Sequence, residues 1–183
     1  MQVFRGIPER SDHGCVLTIG NFDGVHRGHQ ALLAKLRAKS RANGLPSAVL
    51  TFEPHPREYF THENRPIRLT SLREKIQRIA DQGVDRLYIG RFNARFAALT
   101  AEQFIEEILV RGLGARHLMI GDDFRFGKGR QGDFALLEAT GKTAGFTVEA
   151  MHTLVHEGER VSSSAVREAL AEGDMPHAAR LLG

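Results

Sequence analysis

Ten residues, Gly20-Asn21-Phe22-Asp23-Gly24-Val25-His26-Arg27-Gly28-His29, set the tightest limit on how this chain folds. An apolar run, Val16 to Ile19, precedes them and reads as a buried strand continuing to Gly20. The segment Gln30 to Arg41 follows and reads as a helix. Strand, glycine-rich turn and helix together form an arrangement in which backbone approaches phosphate. Gly20, Gly24 and Gly28 remove side chains where a ligand or a strand must come close. His26 and His29 are three apart, so on a first helical turn they project to the same side. Two imidazoles beside a helix N-terminus suit an anion. No Gly-Lys-Ser/Thr follows and the G-x-G-x-x-G pattern is absent, so neither common phosphate fingerprint applies. Two other readings stand beside this one. The string is a plain strand-helix connection with solvated imidazoles, or the two His ligate a metal, with only Asp23 near enough to help.

The rest of the chain fits an α/β domain. Its 183 residues suffice for one domain spanning 1–183, and 42% hydrophobic content supports a sizeable core. No apolar run approaches the ~20 residues of a membrane span. The N-terminus lacks the layout of a signal peptide. Cys15 is the single cysteine, which excludes a disulfide framework and a CxxC-type zinc set. A soluble cytoplasmic protein is expected, without a membrane partner. The net charge of +3 and pI near 9.3 favour anionic ligands mildly. The basic residues are scattered, and with two Tyr and no Trp a nucleic-acid partner is not expected.

Strand and helix patterns alternate along the chain. Gln2 to Ile7 reads as an edge strand. Leu32, Leu33 and Leu36 give the Gln30–Arg41 helix its apolar face, and Asn43-Gly44 closes it. Ser47 to Phe52 is a second buried strand, after which Glu53-Pro54-His55-Pro56 halts regular structure. Arg57 to Leu69 reads as a polar loop. Ser71 caps a helix running to Gln82, and Val84 to Ile89 is a strand. Thr100 and Gln103 form a capping box for a helix ending near Arg111. Ala115 to Ile120 is another strand, followed by a charged glycine-rich loop, Gly121 to Asp133. A helix at Phe134–Thr140, a strand at Thr147–Met151, a helix at Ala165–Ala171 and a short helix opened by Asp174-Met175-Pro176 complete the chain. This alternation predicts a mainly parallel sheet with helices on both faces. The loops after Ile19, Phe52 and Ile120 leave strand carboxyl ends, where such sheets bind ligands, so they are expected to converge on one cleft.

Four strings carry a resemblance that spans nearly the whole chain: GNFDGVHRGHQ at Gly20–Gln30, TFEPHP at Thr51–Pro56, GDDFRFGKGRQGD at Gly121–Asp133 and RVSSSAVREAL at Arg160–Leu170. In this order they resemble the FMN adenylyltransferase (FAD synthetase) module of bacterial bifunctional riboflavin kinase/FAD synthetases. That module belongs to the H-x-G-H nucleotidylyltransferases, with a Rossmann-like, doubly wound sheet. The resemblance implies transfer of AMP from Mg·ATP to FMN, giving FAD and pyrophosphate reversibly and without a covalent enzyme intermediate. It implies that His26 and His29 donate to α- and β-phosphate oxygens. It implies that Ser163, Ser164 and Arg167 hold the β- and γ-phosphates, with Arg160 assisting. Ser164 stands where Thr is common, which keeps the hydroxyl. Gly20, Phe22, Asp23, Gly24, Gly28, Asp123 and Ser162 fall on the ATP side, Asp123 also being the candidate Mg²⁺ ligand. Pro54, His55, Pro56 and Phe60 form a wall suited to cover the flavin, joined by Phe124 and Phe126.

Each motif keeps a plainer alternative. Ser162 to Ser164 also suit a helix cap, Asp122 and Asp123 suit a solvated loop, and His55 suits a hydrogen bond in a tight turn. Phe124 and Phe126 are either core residues at period two or, for Phe126, a face for the isoalloxazine ring. Lys128 and Arg130 read as solvated charges that steer anions. Two further functions stand against FMN adenylylation: a related cytidylyl- or adenylyltransferase with another acceptor, and a non-catalytic nucleotide-binding module. In the bifunctional relatives a C-terminal riboflavin kinase domain follows, as a covalently linked partner. This sequence ends at Leu182-Gly183, so that domain and riboflavin phosphorylation are expected to be absent.

Overall fold

Two strands open the chain, and their burial fixes their places. β1 (Gln2–Arg5) is exposed throughout and β2 (Cys15–Ile19) is buried throughout. The first therefore suits a sheet edge and the second its centre. The structure, a computed structural model, describes residues 1–61, 66–151, 155–156 and 158–183. From β2 the chain enters α1 (Arg27–Asn43), β3 (Ser47–Glu53), α2 (Pro56–Phe60), α3 (Leu72–Asp81) and β4 (Arg86–Arg91). Next come α4 (Ala94–Ala97), α5 (Ala101–Gln103) continuing as a π-helix over Phe104–Gly112, and β5 (Ala115–Gly121). A 3₁₀ turn at Lys128–Arg130, α6 (Phe134–Ala144), β6 (Thr147–Met151), a hairpin of β7 (Val155–His156) and β8 (Glu159–Arg160), α7 (Ser163–Ala171) and α8 (Met175–Leu182) follow.

The described residues form a sheet ordered β1-β4-β3-β2-β5-β6, parallel at every pairing. β2 pairs with β3 on one side and β5 on the other, so the strand order reverses at β2 and opens a crevice at its carboxyl end. Alternate residues of each strand divide the core. Cys15, Leu17, Ile19, Leu50 and Leu118 pack with Phe104, Ile105, Leu109 and Leu137 on one face. Val16, Val49, Leu87 and Met119 pack with Leu33, Leu36 and Ile79 on the other. Helices thus cover both faces, as the alternation predicts. A smaller cluster of Val161, Val166 and Leu181 joins α7 to α8 beside Leu69. No helix among the described residues is long and apolar enough to cross a membrane.

Several boundaries differ from expectation for identifiable reasons. α1 begins at Arg27, three residues early, because an imidazole serves as its cap instead of Ser, Thr, Asp or Asn. The loop expected from Arg57 to Leu69 contains α2, because Pro56 occupies the first helical position, where its missing N–H costs nothing; residues 62–65 of that loop lie outside the described residues. The helix after Thr100 has its capping box, but its body is π-helical from Phe104. Apolar periodicity does not distinguish i→i+5 from i→i+4 bonding. The short hairpin ahead of Ser162 lacks the length that makes a strand pattern legible.

The loop after β5 is closed by paired backbone bonds between Phe126 and Gly132. A Cβ on Gly132 would stand 2.5 Å from the Phe126 ring. Gly132→Ala should therefore destabilise the protein by about 1–3 kcal/mol through overpacking, read as a lower urea midpoint. An unchanged midpoint would show that the ring yields freely.

Candidate active site

The turn after β2 is strained, and the core holds it. Phe22 and Val25 sit at φ 50° and 42°, left-handed backbone that a β-branched residue rarely adopts. Both side chains are buried against Leu33 and Leu36. Burial of these apolar groups opposes relaxation of the turn. Gly24, at φ +81°, has Leu69 Cδ1 2.9 Å from where a Cβ would be, so a side chain fits there on neither count.

This turn delivers His26 to the N-cap of α1, where its Nδ1 accepts from the His29 N–H at 3.4 Å. That bond leaves Nδ1 unprotonated and places the ring proton on Nε2. The two imidazoles stack with centroids 3.7 Å apart, and Phe22 lies against the outer side of His29 at 4.8 Å. Gly28 makes room for the pair, since a Cβ there would stand 3.2 Å from the His26 ring. Burial pushes the His26 pKa down to about 4, with Arg167 adding to the effect and Asp23 opposing it. Burial holds His29 well below the ordinary range too, helped by His26 and Lys75. At neutral pH both rings are therefore neutral, offering N–H dipoles rather than charge. His29 Nδ1 is buried without a partner among the described residues.

Asp23 gathers the surrounding segments. Its carboxylate accepts from the N–H groups of Leu69 and Thr70 at 3.0–3.1 Å and from the Thr70 hydroxyl at 3.2 Å. It also forms a short ion pair with Arg167 of α7. Its backbone carbonyl accepts from Ser163 Oγ at 3.0 Å. Burial alone would raise its pKa. The donors from Leu69 and Thr70, and the Arg167 charge, outweigh that and hold the carboxyl below its ordinary value.

These contacts bring the first and last motifs together. Ser162 caps α7 by accepting from the Ala165 N–H at 3.1 Å. Ser164 is exposed on the first turn of that helix. A cavity of about 290 Å³ is lined by His26, Gly28, His29, Gly121, Asp123, Arg160 and Ser162, among others. It lies at the crevice where the strand order reverses. Arg160 spans its mouth to reach Asp123 at 2.9 Å. Arg167 gives Nε to the Ile67 carbonyl and Nη2 to Asp23, so its guanidinium is already fixed in place.

The loop after β3 lies apart from that cavity's lining. Its Glu53–Pro54 peptide is cis. His55 caps α2 by accepting from the Arg57 N–H at 3.0 Å, the tight-turn role open to it from sequence. Phe60, 64% exposed, meets Tyr59 and Phe92 edge-on, the outer end of an aromatic row continuing through Phe96 and Phe104. Phe126 is a core residue packed on Phe104, and half-buried Phe124 stacks over it at 5.6 Å. Its ring is covered, so the outward aromatic face at this loop is that of Phe124.

Sequence reasoning missed three contributors. Arg68 grips Glu53 with both Nη atoms and Glu58 through Nε and Nη2, locking α2 to the end of β3. Thr70 donates to Asp23 and accepts from the Gly24 N–H. Lys75 is buried on α3, where only an i, i+4 pairing with Ile79 betrays its inward position.

A model of the FAD synthetase family matches residues 8–165. The bifunctional riboflavin kinase/FMN adenylyltransferase of Escherichia coli strain K12 is 50% identical over 186 residues, covering all of this chain and 59% of that protein. The protein of the same name from Pseudomonas fluorescens is 52% identical over 185 residues, again with 59% of its length covered. This chain therefore spans well under two thirds of these curated relatives. Among solved structures, a protein described as a macrolide-efflux protein from Streptococcus pneumoniae superposes with a TM-score of 0.86 at 24% identity, over all of this chain and 60% of the other. Pantothenate synthetase from Thermus thermophilus gives 0.52 at 15% identity, over 94% of this chain and 77% of the other. Both bear on the fold alone.

The low His26 pKa has a measurable consequence. Between about 6.5 and about 4 the unfolded chain takes up a proton that folded His26 refuses. Stability should therefore fall as pH drops through that window, by up to about 3 kcal/mol from this group. His26→Asn keeps a capping acceptor and removes the titration. Its stability should depend on pH less steeply than wild type by about one proton. Equal slopes would contradict the assignment.

Proposed function

We propose that this chain, which belongs to the FAD synthetase family, transfers AMP from ATP to FMN, giving FAD and pyrophosphate. One observation carries the reading: the Gly20–His29 turn and the Arg160–Arg167 segment, distant in sequence, meet around one cavity through Asp23. A phosphate oxygen of FMN attacks the α-phosphorus of ATP in line. The bond from that phosphorus to the β-bridging oxygen breaks, and pyrophosphate departs with the electron pair. The FMN phosphate is already anionic at neutral pH, so no protein nucleophile is required, and the same site runs the reverse reaction.

The protein's part is alignment and stabilisation of developing charge. His26 and His29 donate neutral N–H bonds to α- and β-phosphate oxygens beside the N-terminus of α1. The first-turn N–H groups of α7, with Ser163 and Ser164, meet the β- and γ-phosphates. Arg160 swings from Asp123 toward them. Arg167 keeps its hold on Asp23 and offers the N–H groups of Nη1, which make no bond among the described residues. Gly28 lines the cavity and leaves room for the nucleotide, whereas Gly20 and Gly24, expected on the ATP side, make room for Phe22 and Leu69 and so shape the turn; Phe22 backs His29. Pro54, His55, Pro56, Phe60 and Phe124 flank the flavin, with Phe126 supporting Phe124 from beneath.

Among the described residues no three His, Cys, Asp or Glu stand together as metal ligands. Asp123, exposed and paired with Arg160, fits a Mg²⁺ carried in on phosphates rather than a protein-built cage. That ion would neutralise phosphate charge. Of the two activities named in the relatives, adenylyl transfer is the one assigned to residues 1–183.

The test is incubation with ATP, Mg²⁺ and FMN, following FAD and pyrophosphate by chromatography. FAD should accumulate. His29→Asn should lower kcat at least about 100-fold with little change in Tm. Folded protein that makes no FAD would overturn the reading.

A further inference from the structure

Lys75 is 5% exposed, one of few charged side chains in the core. Its stem is packed in the core, yet its ammonium is not among the enclosed polar atoms left without a partner, which are Thr18 Oγ1 and His29 Nδ1 among the described residues. The carboxylates whose charge it feels are otherwise engaged. Asp23 is held by Arg167, Leu69 and Thr70. Glu53 and Glu58 are both held by Arg68. Lys75 also bears electrostatically on His29 of the first motif and on His55 of the segment after β3. The chain leading into α3 links the two regions: Leu69 and Thr70, just ahead of the cap Ser71, bond Asp23 of the first motif, while Arg68 bonds Glu53 and Glu58 of the segment after β3. Lys75, on the buried face one turn into that helix, lies at this junction. Burial lowers its affinity for a proton, and an incoming dianion would reverse that effect.

We propose that Lys75 binds the terminal phosphate of the flavin nucleotide, holding the attacking oxygen at the junction of the two subsites. The inference rests on the reading of the site as an FMN adenylyltransferase. The donor's phosphates have the two helix N-termini, Arg160 and Ser163–Ser164 to receive them. The acceptor's phosphate must lie between the histidines and the flavin wall; Arg167 is tethered there to Asp23 and Ile67, whereas Lys75 has no such tether among the described residues. Lys75 thus selects a phosphorylated flavin over riboflavin.

The test compares wild type with Lys75→Met and Lys75→Arg, using quenching of flavin fluorescence to read FMN and riboflavin affinities separately. Wild-type FAD synthesis is measured first, because its failure would sink the functional reading rather than this one. With wild type active, Lys75→Met should weaken FMN at least about tenfold, leave riboflavin within about twofold and leave the KM for ATP unchanged. Its Tm should stay close to wild type, since methionine keeps the apolar stem in the core. Lys75→Arg should recover part of the FMN affinity. Equal FMN binding in Lys75→Met, equal loss of FMN and riboflavin, or a loss confined to ATP would each overturn the assignment. A Lys75→Met variant with lower Tm and no change in the FMN-to-riboflavin ratio would mark a purely structural lysine.

Discussion

One carboxylate holds the site together. Asp23 accepts bonds from the chain at Leu69–Thr70, pairs with Arg167 on α7, and lends its carbonyl to Ser163. Each partner lies far away in sequence, so each bond closes a long loop. The Gly20–His29 turn and the Arg160–Arg167 segment, which both contribute residues to one cavity, are tied to each other through this residue. A largely buried ion pair is weak evidence for stability, since desolvation offsets much of its attraction. Removing one partner leaves the other charge stranded, so the pair acts mainly to specify geometry. In this account Asp23 is a positioning residue, and Arg167 reaches phosphates from a fixed base.

The environment around that pair also determines what the histidines are. They are stacked and largely withdrawn from water, and they stay neutral where solvated imidazoles would begin to charge. Neutral donors suit a centre where negative charge is redistributed and not created outright. The charged groups around them are tied down: Arg160, which lines the cavity, pairs with Asp123, and Arg167 pairs with Asp23. Under the proposed reaction, phosphates would be gathered by these charges and aligned by the neutral imidazole dipoles.

The fold was largely legible because its signals are local. The buried run at β2, the leucines of α1 and the capping box at Thr100 each declare an element within a few residues. The motifs at Gly20–His29 and Arg160–Arg167 were legible for the same reason. The partner of Asp23 was not, because nothing in sequence pairs residue 23 with residue 167. Lys75 was hidden because lysine reads as solvated surface on any helix. Phe124 and Phe126 at period two left their faces undecided, and the bridge between Phe126 and Gly132 settles which ring is covered. The imidazole cap on α1 shifted a boundary because capping rules weigh hydroxyls and carboxylates.

The claim that Asp23 assembles the cleft is tested most directly by a double-mutant cycle on Asp23→Asn and Arg167→Gln, with unfolding free energies from urea titration at neutral pH. A coupling of more than about 1 kcal/mol is expected, the double variant costing clearly less than the sum of the two singles. Costs that add within about 0.5 kcal/mol would contradict it, leaving the two segments to be joined by some other contact.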